Sequence, residues 1–217
     1  MIDFSLIETM RWEPGTGIVR LRLHLARLQR SAGRLGFPGA EKAKERLADV
    51  LGIPSSTKVP AESPLRVRLT LDSAGQIDVT TAPFIPLAPD SVWTVRLAKT
   101  RLASFDPLLR HKTSRRAVYE TARAEYRPGD ADEVLLLNEH GDPCEGTITS
   151  LFVDDGSGVL KTPPISCGLL AGVLRTEMIC QRKARVQRLT LDDLRGRPVF
   201  IGNSLRGLIR ANLIWDN

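Results

Sequence analysis

Lys112 stands in HKTSRRAVYETAR (residues 111–123), with Arg110 just before it and Arg115, Arg116 and Arg123 after it. An amine attacks a carbonyl only when it can shed a proton near neutral pH, and burial or nearby positive charge lowers a lysine's pKa in that direction. The same run also reads as a solvated basic helix face or as a strip that grips nucleic acid. Glu145 opens EGTITSLFVDDG, just ahead of an apolar strand. A carboxylate entering a core strand needs a partner: it can hold a protonated heterocycle nitrogen through a charge-assisted bond, or cap a turn. In TPPISCGLLAGVLR (162–175), Gly168 and Gly172 precede a helical run. Backbone N–H groups at a helix start can be offered to a phosphate there, and an ordinary loop reads the same way. Asn203, Ser204 and Arg206 lie at the exit of the strand PVFI, where a hydroxyl and a guanidinium can meet anions.

These residues need a frame. FSLIETMRW, the turn EPGTG and IVRL predict a hairpin. Leu21, Leu25, Leu28, Ala32 and Leu35 recur at helical spacing up to Gly36 and Pro38. A second helix is expected over about 41–51, stopped by Gly52 and Pro54. Leu65, Val67, Leu69 and Leu71 alternate with polar residues, so a half-buried strand turns at DSAG and returns through QIDVTT. SVWTVRLA reads as a third strand of the same kind, with the proline-rich stretch 81–90 as a connection inside one α+β lobe. The second half predicts a helix from about Ser114, strands at EVLLLNE and TSLFVDD, a helix over about 172–182, and strands at VQRL and PVFIG. Two lobes, 1–104 and 105–217, fit this order.

Composition is that of an ordinary globular protein, 42% hydrophobic and 26% charged. Lys+Arg 31 against Asp+Glu 25 leaves a net charge of +6, which favours anionic partners. Aromatics at 5% give few platforms for stacking bases, so nucleic acid is not expected as a partner. Cys144, Cys167 and Cys180 form no C-x-x-C pair, and the three histidines form no H-E-x-x-H, so no metal is expected. The odd thiol count suits a reducing cytoplasm. Asp3 and Glu8 stand where a secretory leader needs basic and then apolar residues, and no apolar run reaches membrane-spanning length; neither export nor a membrane partner is expected.

Together the stretches resemble the class IV aminotransferases, the fold type IV enzymes that carry pyridoxal phosphate. HLARL (24–28) is similar to the family's H-x-x-R-L helix, HKTSRRAVY to its Schiff-base lysine segment, EGTITSLF to its E-G-x-x-x-[NS]-[LI]-F run, and GLLAGVLR to its G-x-x-x-G-x-x-R loop. They lie in the family's order across nearly the whole chain, and HKT, TPPISCGLL and NSLRG are closest to the aminodeoxychorismate lyase branch. The resemblance implies an α+β, two-lobed architecture: an N-terminal α/β sandwich and a C-terminal pseudo-barrel, with the site between lobes in a homodimer.

Carried over by position, the resemblance implies that Lys112 forms the Schiff base with pyridoxal 5'-phosphate and shuttles the proton. Arg27, the backbone N–H groups of Val173 and Leu174 and the Ser204 hydroxyl would hold the phosphate, and Glu145 would face the pyridine nitrogen. Read without the family, Arg27 is an arginine laying its stem along an apolar stripe. Thr9 aligns with a hydroxyl that lyases present near the substrate, and Arg206 and Arg11 are candidate clamps for substrate carboxylates. The aromatic hydroxyl that transaminases place five residues after the lysine is Ala117 here, with Tyr119 two further on; Arg116 is the candidate to replace it at the ring oxygen.

Three functions are therefore expected in order. The first is a pyridoxal-phosphate lyase that takes a small anionic amino-acid-like substrate, 4-amino-4-deoxychorismate, to 4-aminobenzoate and pyruvate in folate biosynthesis. The second is transamination of a D- or branched-chain amino acid on the same fold. The third is a basic nucleic-acid-binding module that borrows the fold.

Overall fold

The computed structural model describes residues 3–52 and 62–215; Pro54 lies outside them. Two compact units make up the chain, one from Met1–Pro86 with Lys112–Arg115, the other from Leu87–His111 with Arg116–Asn217.

The first unit contains β1 (Leu6–Glu13), β2 (Gly17–Ile18), α1 (Leu21–Leu35), α2 (Ala43–Leu51), β3 (Leu65–Leu71) and β4 (Ile77–Pro83). The strands form an antiparallel sheet in the order β2-β1-β3-β4. Leu6, Met10 and Trp12 of β1 share one sheet face with Val67, Leu69 and Leu71 of β3, and that face packs with Leu28, Ala32, Ala43 and Leu47 of the helices. Burying each large apolar side chain is worth about 1.5–3 kcal/mol. The predicted stripe of α1 is present. It stops because Gly36 takes a left-handed φ of 75° and its N–H bonds back to Ala32. The helix also buries a polar ridge that the stripe does not forecast: His24, Arg27 and Ser31.

The second unit contains β5 (Val92–Leu102), α3 (Ala117–Ala124), β6 (Glu133–Asn138), β7 (Pro143–Gly146), β8 (Ser150–Val153), β9 (Leu160–Thr162), α4 (Val173–Cys180), β10 (Ala184–Val186), α5 (Leu191–Leu194), β11 (Val199–Asn203) and β12 (Gly207–Ile214). Its sheet runs β10-β9-β8-β11-β12-β5-β6-β7, and a further β7–β8 pairing joins Glu145 to Ser150. That pairing closes β5, β6, β7, β8, β11 and β12 into a six-stranded barrel and removes their edges. Every residue of β6, β7 and β8 is buried.

The strand at SVWTVRLA differs in placement from the sequence expectation. It is β5, paired in parallel with β12 and β6 in the second unit's sheet, and it does not join β3 and β4. The proline-rich stretch 81–90 contains the point, Pro86 to Leu87, where the first unit gives way to the second. The helix expected from Ser114 starts at Ala117. Residues 112–114 are occupied otherwise: the N–H of Ile7 bonds to the Lys112 carbonyl at 2.8 Å, that of Ser114 to the Ser5 carbonyl at 2.8 Å, and Leu6 bridges Thr113.

Candidate active site

Lys112 is half-buried and held by its backbone against β1 of the first unit. Since Leu6, Glu8, Met10 and Trp12 point to the core side, Ile7, Thr9 and Arg11 point to the other. Thr9 is paired with Arg68 and Arg11 with Arg66, and partners in register share a sheet face. One face of this sheet therefore carries a hydroxyl and three guanidinium groups. Arg66 and Arg68 are exposed, whereas Arg11 also meets Glu13 at 3.0 Å. The sequence reading picked Thr9 and Arg11 and missed Arg66 and Arg68, although their alternation in LRVRLTL was visible.

Arg27 does not lay its head in water. It is buried, and Glu8 takes it in a two-point grip: Nε donates to Oε1 at 2.8 Å and Nη2 to Oε2 at 2.6 Å. His24 approaches the same carboxylate, Nδ1 to Oε2 at 2.6 Å. Burial alone would raise the Glu8 pKa, but the Arg27 charge and the hydrogen bonds from His24 and Arg27 outweigh it and hold the group at about 2. Burial pushes His24 the other way, below its ordinary value, despite the pull of Glu8. With Arg27 already neutralising Glu8, His24 serves as a neutral Nδ1–H donor. Glu8 thus fixes the orientation of the Arg27 fork.

In the second unit Glu145 sits at the seam that closes the barrel. Its Oε1 accepts the Tyr119 hydroxyl at 2.8 Å and the Leu170 N–H at 3.2 Å. Burial, and then the Glu145 charge, push the Tyr119 pKa far up, so the phenol is a permanent donor. Arg116 lies 4.6 Å over the Tyr119 ring and donates through Nη2 to the Thr147 carbonyl. Burial depresses the Arg175 pKa, with the charge of Glu145 opposing it.

The turn after Glu145 is built on Glu133, which is fully buried at the start of β6. Its Oε1 accepts the N–H groups of Val134 and Thr147 and the Thr147 hydroxyl; its Oε2 accepts the Ile148 N–H and the Thr149 hydroxyl, all at 2.5–3.1 Å. A Cβ at Gly146 would come within 2.7 Å of that carboxylate, which explains the glycine after Glu145.

The α4 helix begins at Gly172 without a side-chain cap and without an acidic residue in its first turn. The opening N–H groups of a helix have no partner inside it. Arg175 ties the preceding strand to this helix, Nε to the Thr162 hydroxyl at 3.1 Å and Nη2 to the Pro163 carbonyl at 2.7 Å. Ser204 is buried in the turn between β11 and β12. That turn adjoins the helix start, because a Cβ on Gly202 would stand 2.8 Å from Leu174 Cδ2. Asn203 organises it by accepting the N–H groups of Leu205 and Arg206 and by donating to the Ile148 carbonyl. The turn that holds Ser204 thus adjoins Leu174, while Arg206 lies over the Trp93 ring at 5.6 Å.

The donor sets suit a phosphorylated pyridine. An uncapped helix start beside a buried hydroxyl fits a phosphate, and a buried carboxylate held on one oxygen by two donors fits a cationic ring nitrogen.

The profile described as amino-transferase class IV matches residues 5–214, and the chain belongs to that family of enzymes. A crystal structure from Mesorhizobium loti, provisionally named an amino-acid aminotransferase, is 50% identical, with 98% of this chain and 100% of that one covered at a TM-score of 0.89. The 4-amino-4-deoxychorismate lyase from Pseudomonas aeruginosa is 22% identical, covering 96% and 82% at a TM-score of 0.77. The branched-chain amino acid aminotransferase from Escherichia coli is 20% identical, covering 96% and 76% at 0.78. These last two likenesses concern the fold: the mixed α/β unit and the barrel of fold type IV. No curated protein sequence matches the chain.

Proposed function

We propose that the chain is a pyridoxal-phosphate-dependent lyase that converts 4-amino-4-deoxychorismate to 4-aminobenzoate and pyruvate. The observation that carries this reading is the basic sheet face: Thr9, Arg11, Arg66 and Arg68 on one side of the sheet against which Lys112 is held. A substrate with two carboxylates suits such a face. When bound, the cofactor supplies an electron sink for the substrate carbon. Val173 and Leu174 N–H groups, the Ser204 hydroxyl and Arg27 hold its phosphate, and Glu145 holds its ring nitrogen. Lys112 Nζ takes the proton from the carbon that bears the amino group. The bond between the ring carbon and the ether oxygen then breaks, the three-carbon group leaves with that oxygen as enolpyruvate and takes up a proton to become pyruvate, and the ring left behind is aromatic, which drives the reaction. Thr9 orients the substrate, and Arg11 and Arg206 clamp its carboxylates.

Transamination is the second reading, supported by the name of the 50% identical Mesorhizobium loti protein. One incubation separates the two. Protein given enzymatically made aminodeoxychorismate and no keto acid releases 4-aminobenzoate and pyruvate if it is the lyase. Release of neither, with amino transfer to 2-oxoglutarate instead, assigns transamination. The wild-type protein is expected to be yellow and Lys112→Ala colourless; a colourless wild type that binds nucleic acid overturns both readings. The proposal includes a homodimer in a reducing cytoplasm, to be checked by sedimentation against the 23.9 kDa chain mass. Among the described residues, no helix is long and apolar enough to cross a membrane.

A further inference from the structure

We propose that Tyr119 is a positioning residue for Glu145, which it holds as a fixed anion facing the cofactor's ring nitrogen. The inference rests on the pyridoxal-phosphate reading and adds a residue to which that reading gives no role. Tyr119 stands seven positions after Lys112, and its hydroxyl proton is already engaged. It is spent on Glu145 Oε1, 2.8 Å away, with both side chains buried.

Three further features converge on the same carboxylate. The Leu170 N–H donates to the same oxygen, so Oε1 has two donors on one side and the rotamer is set. Arg116 covers the outer face of the Tyr119 ring at 4.6 Å and is itself fastened to the Thr147 carbonyl, which holds the phenol in place. Glu145 is also anchored through its strand, opposite Leu136 on one side and Ser150 on the other. A neutral phenol gives a hydrogen bond without adding charge. It stabilises the carboxylate form without cancelling its charge. An arginine in this place would neutralise Glu145 and weaken its hold on a pyridinium.

The test uses Tyr119→Phe, which keeps the ring under Arg116 and removes one oxygen. Binding to apoprotein is followed by fluorescence with two ligands that cannot form a Schiff base or turn over: 4'-deoxypyridoxine 5'-phosphate and its 1-deaza analogue, which lacks the ring nitrogen. Tyr119→Phe is expected to weaken the first ligand by about 3- to 10-fold, the usual net worth of one hydrogen bond, and to leave the second unchanged. In a Glu145→Gln background the effect of Tyr119→Phe disappears.

Equal weakening of both ligands assigns Tyr119 a merely structural role and overturns the inference, as does no weakening of either. Failure of the wild type to bind either ligand overturns the cofactor reading itself, a distinct result. If Tyr119→Phe does not fold, 3-fluorotyrosine labelling of the two tyrosines replaces it. The 19F signal of Tyr119 is then expected to move with the first ligand and not with the deaza analogue. Equal movement with both overturns the inference.

Discussion

Glu8 keeps a negative charge beside Leu, Met and Trp side chains, and its response to acid follows from the groups that hold it. Its folded pKa is depressed to about 2 from 4.5, so the stability it contributes is present above 4.5 and is lost as pH falls toward 2. That span is worth about 3 kcal/mol at 1.36 kcal/mol per pH unit. His24 acts in the same direction. Its folded pKa is lowered from 6.5, so the unfolded chain gains a proton that the folded chain refuses as pH drops below 6.5. Melting temperature is therefore expected to decline from about pH 6.5 downward and more steeply below 4.5. Glu8→Gln leaves the buried Arg27 without its counter-charge; a loss of about 3–5 kcal/mol at pH 7 is expected, together with a flattened acid limb in urea titrations. Glu8 escaped the sequence reading because a glutamate in an alternating strand gives no sign that its face is the buried one. Only the helix laid across it reveals why Arg27 and His24 are spaced three apart.

At the scale of elements, the turn between β7 and β8 is moulded around Glu133, and α4 abuts the turn after β11 through Gly202. Glu133→Gln replaces an acceptor-only group by one that must point an NH2 at donors. A cost of about 2–5 kcal/mol is expected, read as a lower urea midpoint at unchanged slope. Gly202→Ala places a methyl 2.5 Å from the Gly207 carbonyl and 2.8 Å from Leu174. Backbone cannot yield easily there, so a loss of about 1–3 kcal/mol is expected in thermal melts. Sequence periodicity is enough to recover α1, β3, β4 and β6, since each buries one regular face or a continuous apolar run. It does not recover β7, where Pro143 and Gly146 break the pattern, nor the three-residue β9. It overlooked β12, although Ile209, Ala211 and Leu213 alternate. Family motifs single out Lys112, Glu145, the α4 glycines and Arg175; they do not point to Glu133 or to the bond between Tyr119 and Glu145, because those partners are distant in the chain and only tertiary placement shows them.

For the whole molecule, topology separates the two units in a way that alternation cannot. A strand's pattern tells which face is buried but not which sheet it joins, so β5, which alternates as β3 does, reads as part of the first lobe while it lies in the second unit. Its true neighbours are β6 and β12, both parallel to it. Deleting residues 207–217 removes β12 from between β11 and β5 and opens the barrel; the truncated chain is expected to lose cooperative unfolding, seen as a broadened or absent melting transition in circular dichroism. The same strand order has a bearing on synthesis. All four strands of the first sheet have been synthesised once the ribosome has translated residue 83, whereas β5, complete at residue 102, must wait until residue 207 for β12, the later of its two neighbours. At translation speeds of 5–20 residues per second that interval lasts about 5–20 s. Throughout it one flank of β5 offers unpaired amides to any passing strand, a window of exposure set by the order of strands in the sheet.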